Sequence, residues 1–293
     1  MHSGISASNF SFYDLNRKVK SRDPNLIFEG WQPENERIAI LSPHDDDALL
    51  GAGYLLLYTL AAGAQAHILI FCNGCGGYSR PDQKDKIVEI RKAESLNAYQ
   101  KLGLKDANIT RFDYPDFSLR GFIGLFLPKN EKGTTLRTLY ALRKIKPTRM
   151  IIPNEYREHL DHEAASYIGA YDGPQVGDPI LVDVGEPFRI KTYLKYSVWG
   201  DFSPEDSLVN NMPVDLRGNI AIVADEEVEK RIRASVMEFK SQKEIIRGLV
   251  KEREERKVKG RYLELYLKFD PRPRLAYEPY KKVIKKIDKT SNY

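Results

Sequence analysis

The stretch LSPHDDDALLGAG, residues 41 to 53, ends one apolar run and begins another, with His44 and three successive aspartates, Asp45, Asp46 and Asp47, at the junction. Like charges packed this closely repel, and partial burial raises the penalty because charged forms are harder to solvate there. The segment therefore asks for a compensating positive charge. Its position also sets the architecture: RIAILS (37–42) reads as a strand, residues 48–62 read as a helix, and the acids fall in the loop between them.

The run that follows could be mistaken for a membrane span. From Ala48 to Ser79 there is no Asp, Glu, Lys or Arg, and ALLGAGYLLLYTLAAGA is nearly long enough to cross a bilayer. It starts directly after three aspartates, however, contains Gly51, Gly53 and Gly63, and passes through Gln65 and His67 into HILIFCN (67–73). A buried helix followed by a buried strand accounts for this better, and no membrane span is expected.

Beyond residue 73 the alternation continues. QKDKIVEIRKAESLNAYQKLGL (83–104) reads as an amphipathic helix ending near Gly103, NITRFDY as a strand and TTLRTLYALRKIKP as a helix. RMIIPN (149–154) reads as a strand and HEAASYIGAYD (162–172) as a helix. Such repetition with near-continuous apolar strands predicts an α/β fold, a three-layer αβα sandwich around a mainly parallel, Rossmann-like sheet. Farther on, YLKYSVWGDF reads as a strand, 225–254 as one long helix, and RYLELYLKF carries an apolar, aromatic face. With no internal repeat or low-complexity linker, the expectation is one domain over 1–293, its core at about 37–269 and its termini short and irregular.

Composition bounds the function classes. The 293 residues are 42% hydrophobic with a formal charge of +5, ordinary for a globular protein able to bury a substantial core. Much of the basic excess lies in KEREERKVKGR (251–261) and YKKVIKKIDK (280–289). The first mixes both signs at helical spacing and reads as a solvated helix face rather than a nucleic-acid patch, so no nucleic acid is expected as a partner. The two cysteines, Cys72 and Cys75, are too few for a disulfide framework or a paired-cysteine zinc site. The amino-terminal stretch lacks the apolar core of a secretory signal, which predicts a cytoplasmic protein.

Histidine placement adds the chemistry. His44 follows the first strand of the alternating series, while His159 and His162, in REHLDHE, follow the RMIIPN strand. In a parallel sheet both loops open on the same edge, so His44, Asp47 and His162 could surround one point. Two imidazoles and a carboxylate form a competent ligand set for Zn²⁺ with a fourth position for water, and Fe²⁺ can occupy similar ligands. A dication would also stabilise the acidic loop. Asp47 could instead merely cap the following helix, which would leave His44, Asp45 and Asp46 unexplained; spacing alone does not decide among the three aspartates.

These residues resemble the LmbE-like, or PIG-L, family of zinc-dependent N-acetylglucosaminyl deacetylases, whose motifs read His-x-Asp-Asp after strand one and His-x-x-His later. IRKAESLNAYQKLGL is similar to the family's Arg-x-x-Glu helix, YPDFSL to its Pro-Asp turn, EFKSQ to its Ser-Gln segment and RYLELY to its terminal aromatic-Glu motif. The resemblance implies that His44, Asp47 and His162 bind zinc, that Asp46 is the general base, that His159 assists at the tetrahedral intermediate, donating to it when imidazolium, and that Arg91 and Asp116 contact the sugar. Asp161, between the two histidines, could orient either of them. Two positions depart from the family: Asp45 and Ala48 stand where Pro and Glu are usual.

The expected activity is removal of acetyl from an N-acetylated amino sugar or glycoconjugate, with assembly as a homo-oligomer left open. A metal-dependent amidase acting on a thiol-sugar conjugate or another acyl amine is the alternative enzyme. A catalytically silent binder of sugar or nucleic acid is the third reading, against which Asp46 and His159 argue, since pure binding needs neither.

Overall fold

The computed structural model describes residues 4–290, so the two ends of the expected 1–293 domain lie outside the described residues. The chain begins with β1 (Phe10–Asp14) and β2 (Val19–Ser21), then alternates through β3 (Arg37–Ser42), α1 (Asp47–Ala61), β4 (Gln65–Cys72), α2 (Ile87–Leu102), β5 (Ile109–Tyr114), α3 (Thr134–Ile145), β6 (Arg149–Pro153) and α4 (Leu160–Gln175). It continues with β7 (Thr192–Tyr196), α5 (Pro204–Val209), β8 (Ile220–Ala224), α6 (Glu226–Val236), α7 (Lys243–Glu252), β9 (Lys257–Val258), β10 (Arg261–Phe269) and α8 (Glu278–Thr290).

The central strand shows why the sandwich forms. In β3, Ile38 and Ile40 enter a core built with residues of α1, α2 and α6, while Ala39 and Leu41 enter a second core built with residues of α3 and α4. A strand buried on both faces reads as a continuous apolar run, and helices must cover both sides. The uncharged run after the aspartates is α1, buried from Asp47 to Thr59. Among the described residues no helix is long and apolar enough to cross a membrane.

The sheet is mixed, which corrects the expectation of a mainly parallel one. Its order is β2-β1-β8-β10-β7-β6-β3-β4-β5, with β9 paired to β10. Strands β7, β6, β3, β4 and β5 run parallel to one another, whereas β10 is antiparallel to β7 and β8, and β1 is antiparallel to β8 and β2. Periodicity reports which faces of a strand are buried but not the direction of its neighbour. The alternating burial of Tyr262 and Glu264 against half-buried Arg261 and Leu263 is the pattern of a strand covered mainly on one side. Residues 10–21, read as an irregular terminus, supply two strands.

The single helix expected over 225–254 is also broken, into α6 and α7. At the break the Ser241 amide and hydroxyl donate to the two carboxylate oxygens of Glu94, at 2.7 Å each. A serine that satisfies a buried carboxylate in this way cannot keep its place in a helical ladder.

α1 carries a kink at Ala52, whose φ of −132° and ψ of 21° lie outside the helical region. The freed Tyr54 amide donates to Glu264 Oε2 at 2.8 Å, and the Leu50 carbonyl accepts from Arg253 at 2.9 Å and Arg256 at 3.0 Å. Arg253 also forks onto Glu229, with two contacts of 2.8 Å, and Glu229 accepts from the Tyr54 hydroxyl. The KEREERKVKGR segment is therefore not a plain solvated face, because Arg253 is 2% exposed. Side chains inserted into a helix ladder are a recognised cause of kinks. Gly51 sits beside the break because a Cβ there would lie 2.2 Å from the Tyr196 ring.

Removing one partner of a buried ion pair leaves an uncompensated charge, at a cost of about 3–5 kcal/mol. Arg253→Met should lower unfolding stability by about that amount in denaturant titration. A loss below about 1 kcal/mol would show that the network does not hold the break in α1.

Candidate metal centre

β3 and β6 are parallel neighbours, so the loops that leave their carboxyl ends open side by side. The first loop carries His44 and hands Asp47 to the first turn of α1. The second ends in His159, the amino-terminal cap of α4, which places His162 in that helix's first turn. The loops meet at Asp47: its Oδ2 accepts the His44 amide at 2.7 Å, lies 3.2 Å from His44 Nδ1 and 3.1 Å from His162 Nε2. The His44 and His162 rings are 5.4 Å apart between centroids. One ligand atom from each of His44, Asp47 and His162 falls within 4.8 Å of the others.

Glu158, which the sequence analysis did not single out, backs this group. Its side chain is fully buried, with Oε2 3.2 Å from His162 Nδ1. Oε1 accepts the Ser197 hydroxyl at 2.8 Å and the amides of Val198 and Gly200 at 3.0 and 3.1 Å. A carboxylate behind one imidazole nitrogen fixes the ring and leaves the other nitrogen for a metal. Its spacing four residues before His162 was the available signal.

Asp161 turns to a different partner. Its Oδ2 lies 3.1 Å from His44 Nε2 and accepts the Phe117 amide at 2.7 Å, while Oδ1 accepts the Leu119 amide at 3.1 Å. It stands 3.6 Å from His159 Nδ1. His159 itself accepts the Asp161 amide on Nδ1 at 3.2 Å, so a neutral ring carries its proton on Nε2. Burial and the nearby His44 charge lower its pKa. Phe117, at φ +61° and 64% exposed, presents its ring 4.5 Å from His159. Backbone strain of this kind in a bulky residue concentrates at functional sites.

The remaining aspartates obtain counter-charge from the chain itself. Asp45 is fully buried, paired with Arg111 and 3.4 Å from Arg91 Nε. Asp46 lies 3.4 Å from Arg91 Nη2. Arg91, expected at the sugar, is 2% exposed; it also donates to Gln242 Oε1 and lies over the Phe239 ring. Asp116, likewise expected at the sugar, accepts the Gly74 and Gly76 amides at 2.8 Å each. Gly74 has φ +80°, and a Cβ there would press on Arg91.

The electrostatics suit a cation. Burial alone would lower both imidazole pKa values, but Asp161 and Asp47 raise that of His44 well above its usual range, and Asp47 and Glu158 raise that of His162 to about 9. The carboxylates that favour protonated rings here would equally favour a metal cation in the protons' place. Neither ring nitrogen of His162 has an aligned hydrogen-bond partner, despite its close carboxylates. Two imidazoles and one carboxylate converging with an unpartnered buried nitrogen fit a three-ligand metal site with an open position. His44, Cys72 and Asp116 also approach one another, but burial first and then Asp161 push the Cys72 thiol far up its scale, which makes it a poor ligand. For Asp46, burial raises the pKa, with Asp47 and Asp45 adding to it and Arg91 opposing.

Residues 39–170, a little under half of the chain, match the family model PIG-L, described as GlcNAc-PI de-N-acetylase, a match that supports an enzyme of the N-deacetylase class. No curated protein matches it. Among solved structures it resembles the conserved protein TT1542 from Thermus thermophilus, with 23% identity, 81% of this chain and 96% of that one covered, and a TM-score of 0.59. It also resembles the N,N'-diacetylchitobiose deacetylase from Pyrococcus horikoshii (16% identity, 84% and 91% covered, TM-score 0.59). The 4-carboxy-2-hydroxymuconate hydratase GalB from Pseudomonas putida is similar to the same degree (16%, 82% and 99%, TM-score 0.59). At these identities the likeness is one of fold, and a hydratase among the neighbours shows that the fold hosts more than one chemistry.

Loss of a carboxylate that orients a ligating histidine typically costs about 10–100-fold in metal affinity. Glu158→Gln should therefore weaken Zn²⁺ binding by about 10–100-fold in competition titration with a chromophoric chelator. Unchanged affinity would remove Glu158 from the site.

Proposed function

We propose that this chain is a zinc-dependent deacetylase that removes the acetyl group from an N-acetylglucosamine-type sugar or glycoconjugate, releasing acetate and a free amine. The observation that carries this reading is Asp47 Oδ2 held between His44 and His162, with Asp46 buried beside it. His44, Asp47 and His162 would hold the metal, and Glu158 would orient His162. Bound there, a divalent metal supplies Lewis acidity, polarising an acyl oxygen and acidifying water; Zn²⁺ suits a two-imidazole, one-carboxylate set, and Fe²⁺ can share it.

The chain's own groups do the rest. Asp46 accepts a proton from the attacking water and returns it to the departing amine. Burial supports that task, since it lifts the carboxyl toward neutrality and brings its proton affinity nearer the working pH. His159 donates from Nε2 to the oxygen on which charge develops. Its capping contact supports donation by a neutral ring. Donors of this kind are typically worth about 10²–10³ in rate. Asp161 steadies His44. Arg91 acts from beneath by holding Asp45 and Asp46, and Asp116 by shaping the glycine loop. The exposed Phe117 ring beside His159 offers an apolar surface on which a sugar ring can stack.

Asp46→Asn should keep near-stoichiometric zinc by mass spectrometry yet lose at least about 10² in acetate release from a panel of N-acetylated amino sugars. Full activity in that variant would remove Asp46 as the base. Failure of the zinc-loaded parent to release acetate from any panel member would overturn the substrate reading.

A further inference from the structure

The carboxyl-terminal helix takes no part in either core. No residue of α8 is buried, and Tyr280, Val283, Ile284 and Ile287 are each more than half exposed. Their spacing of three, four and seven positions puts them on one stripe. Lys281, Lys282, Lys285, Lys286 and Lys289 occupy the opposite side, with Glu278 and Asp288 as the only acids of the helix. Leu275 and Tyr277, just before it, are also exposed, at 61% and 64%.

A solitary helix of this length is marginal in water, and a contiguous apolar stripe in solvent marks an interaction surface. The charge pattern selects the partner. A second copy of α8 could cover the stripe, but with Glu278 and Asp288 as its only acids it offers the five lysines little opposite charge. An anionic lipid surface matches both halves of the helix, because apolar side chains enter the acyl boundary while lysines on the other side reach the headgroups. Tyrosines at the edge of such a stripe suit the interface, with an apolar body and a polar tip.

We propose that α8 is a peripheral membrane anchor that binds anionic bilayers. Its root is fixed: Arg272 forks onto Asp178 with contacts of 2.8 and 2.6 Å just after β10 ends. Phe269, the last residue of β10, pairs with Tyr193, Tyr193 with Met150, and Met150 with Ala39 across the sheet. These partners lie in the amino-terminal halves of the parallel strands. The tail thus departs from the pole opposite His44 and His162, and anchoring leaves the candidate metal centre unobstructed.

The test is co-sedimentation of the full chain with phosphatidylcholine vesicles, with and without phosphatidylglycerol. Binding should be at least about tenfold tighter to the anionic vesicles and should fall away near 1 M salt, where screening shortens to about 3 Å. Ile284→Asp with Ile287→Asp, and separately Lys285→Glu with Lys286→Glu, should abolish binding while leaving the unfolding midpoint and metal content unchanged, since α8 contributes nothing to the cores. Absence of vesicle binding, or equal binding by parent and variants, would overturn the proposal. Concentration-dependent dimerisation that disappears in Ile284→Asp, with no vesicle binding, would overturn it in favour of a second copy as the occupant.

Discussion

Three adjacent carboxylates in a buried loop are the constraint to which the surrounding structure responds. The three are met in different ways. Asp45 is matched by Arg91 and Arg111, Asp46 shares Arg91, and Asp47 faces two imidazoles instead of a guanidinium. The arginines answer the first two carboxylates, and the third faces two histidines. This division explains why consecutive residues of the same type can do different work: the backbone turns from loop to helix across them, and each side chain leaves in its own direction.

The motifs that lie far apart in the sequence are joined through this loop. Arg91 and Glu94 on α2 bind the Ser-Gln segment, with Gln242 accepting from Arg91 and Ser241 donating to Glu94. The Asp of the Pro-Asp turn holds the glycine loop whose Gly74 packs on Arg91. The terminal aromatic-Glu motif supplies Glu264 to the break in α1. Arg91, Glu94, Ser241 and Glu264 are all buried, so these links run through the interior.

Much of this was legible. The strand–helix alternation from 37 to 172, the burial of residues 48–62 and the approach of His44 to His162 follow from apolar runs and from the geometry of parallel strands. What escaped depends on pairing across distance. Nothing in RYLELYLKF states that its neighbours run the other way, and nothing in 225–254 announces that Ser241 is wanted by Glu94. Arg253 stands in a stretch of alternating charge, where a buried fork onto Glu229 and an exposed residue look alike. Glu158 was hidden because its role is defined by backbone amides from 198–200, more than a helical element away.

The break in α1 bears on how such a chain can be divided. The family match stops at residue 170, and every candidate ligand lies within it. Yet the helix that aims Asp47 is completed at Leu50 and Tyr54 by groups from 253–264. A fragment truncated after the matched region would keep all of its chemistry-bearing side chains and lose the splint that sets their angle. The candidate ligands are thus braced by a stretch of chain that the family match does not reach.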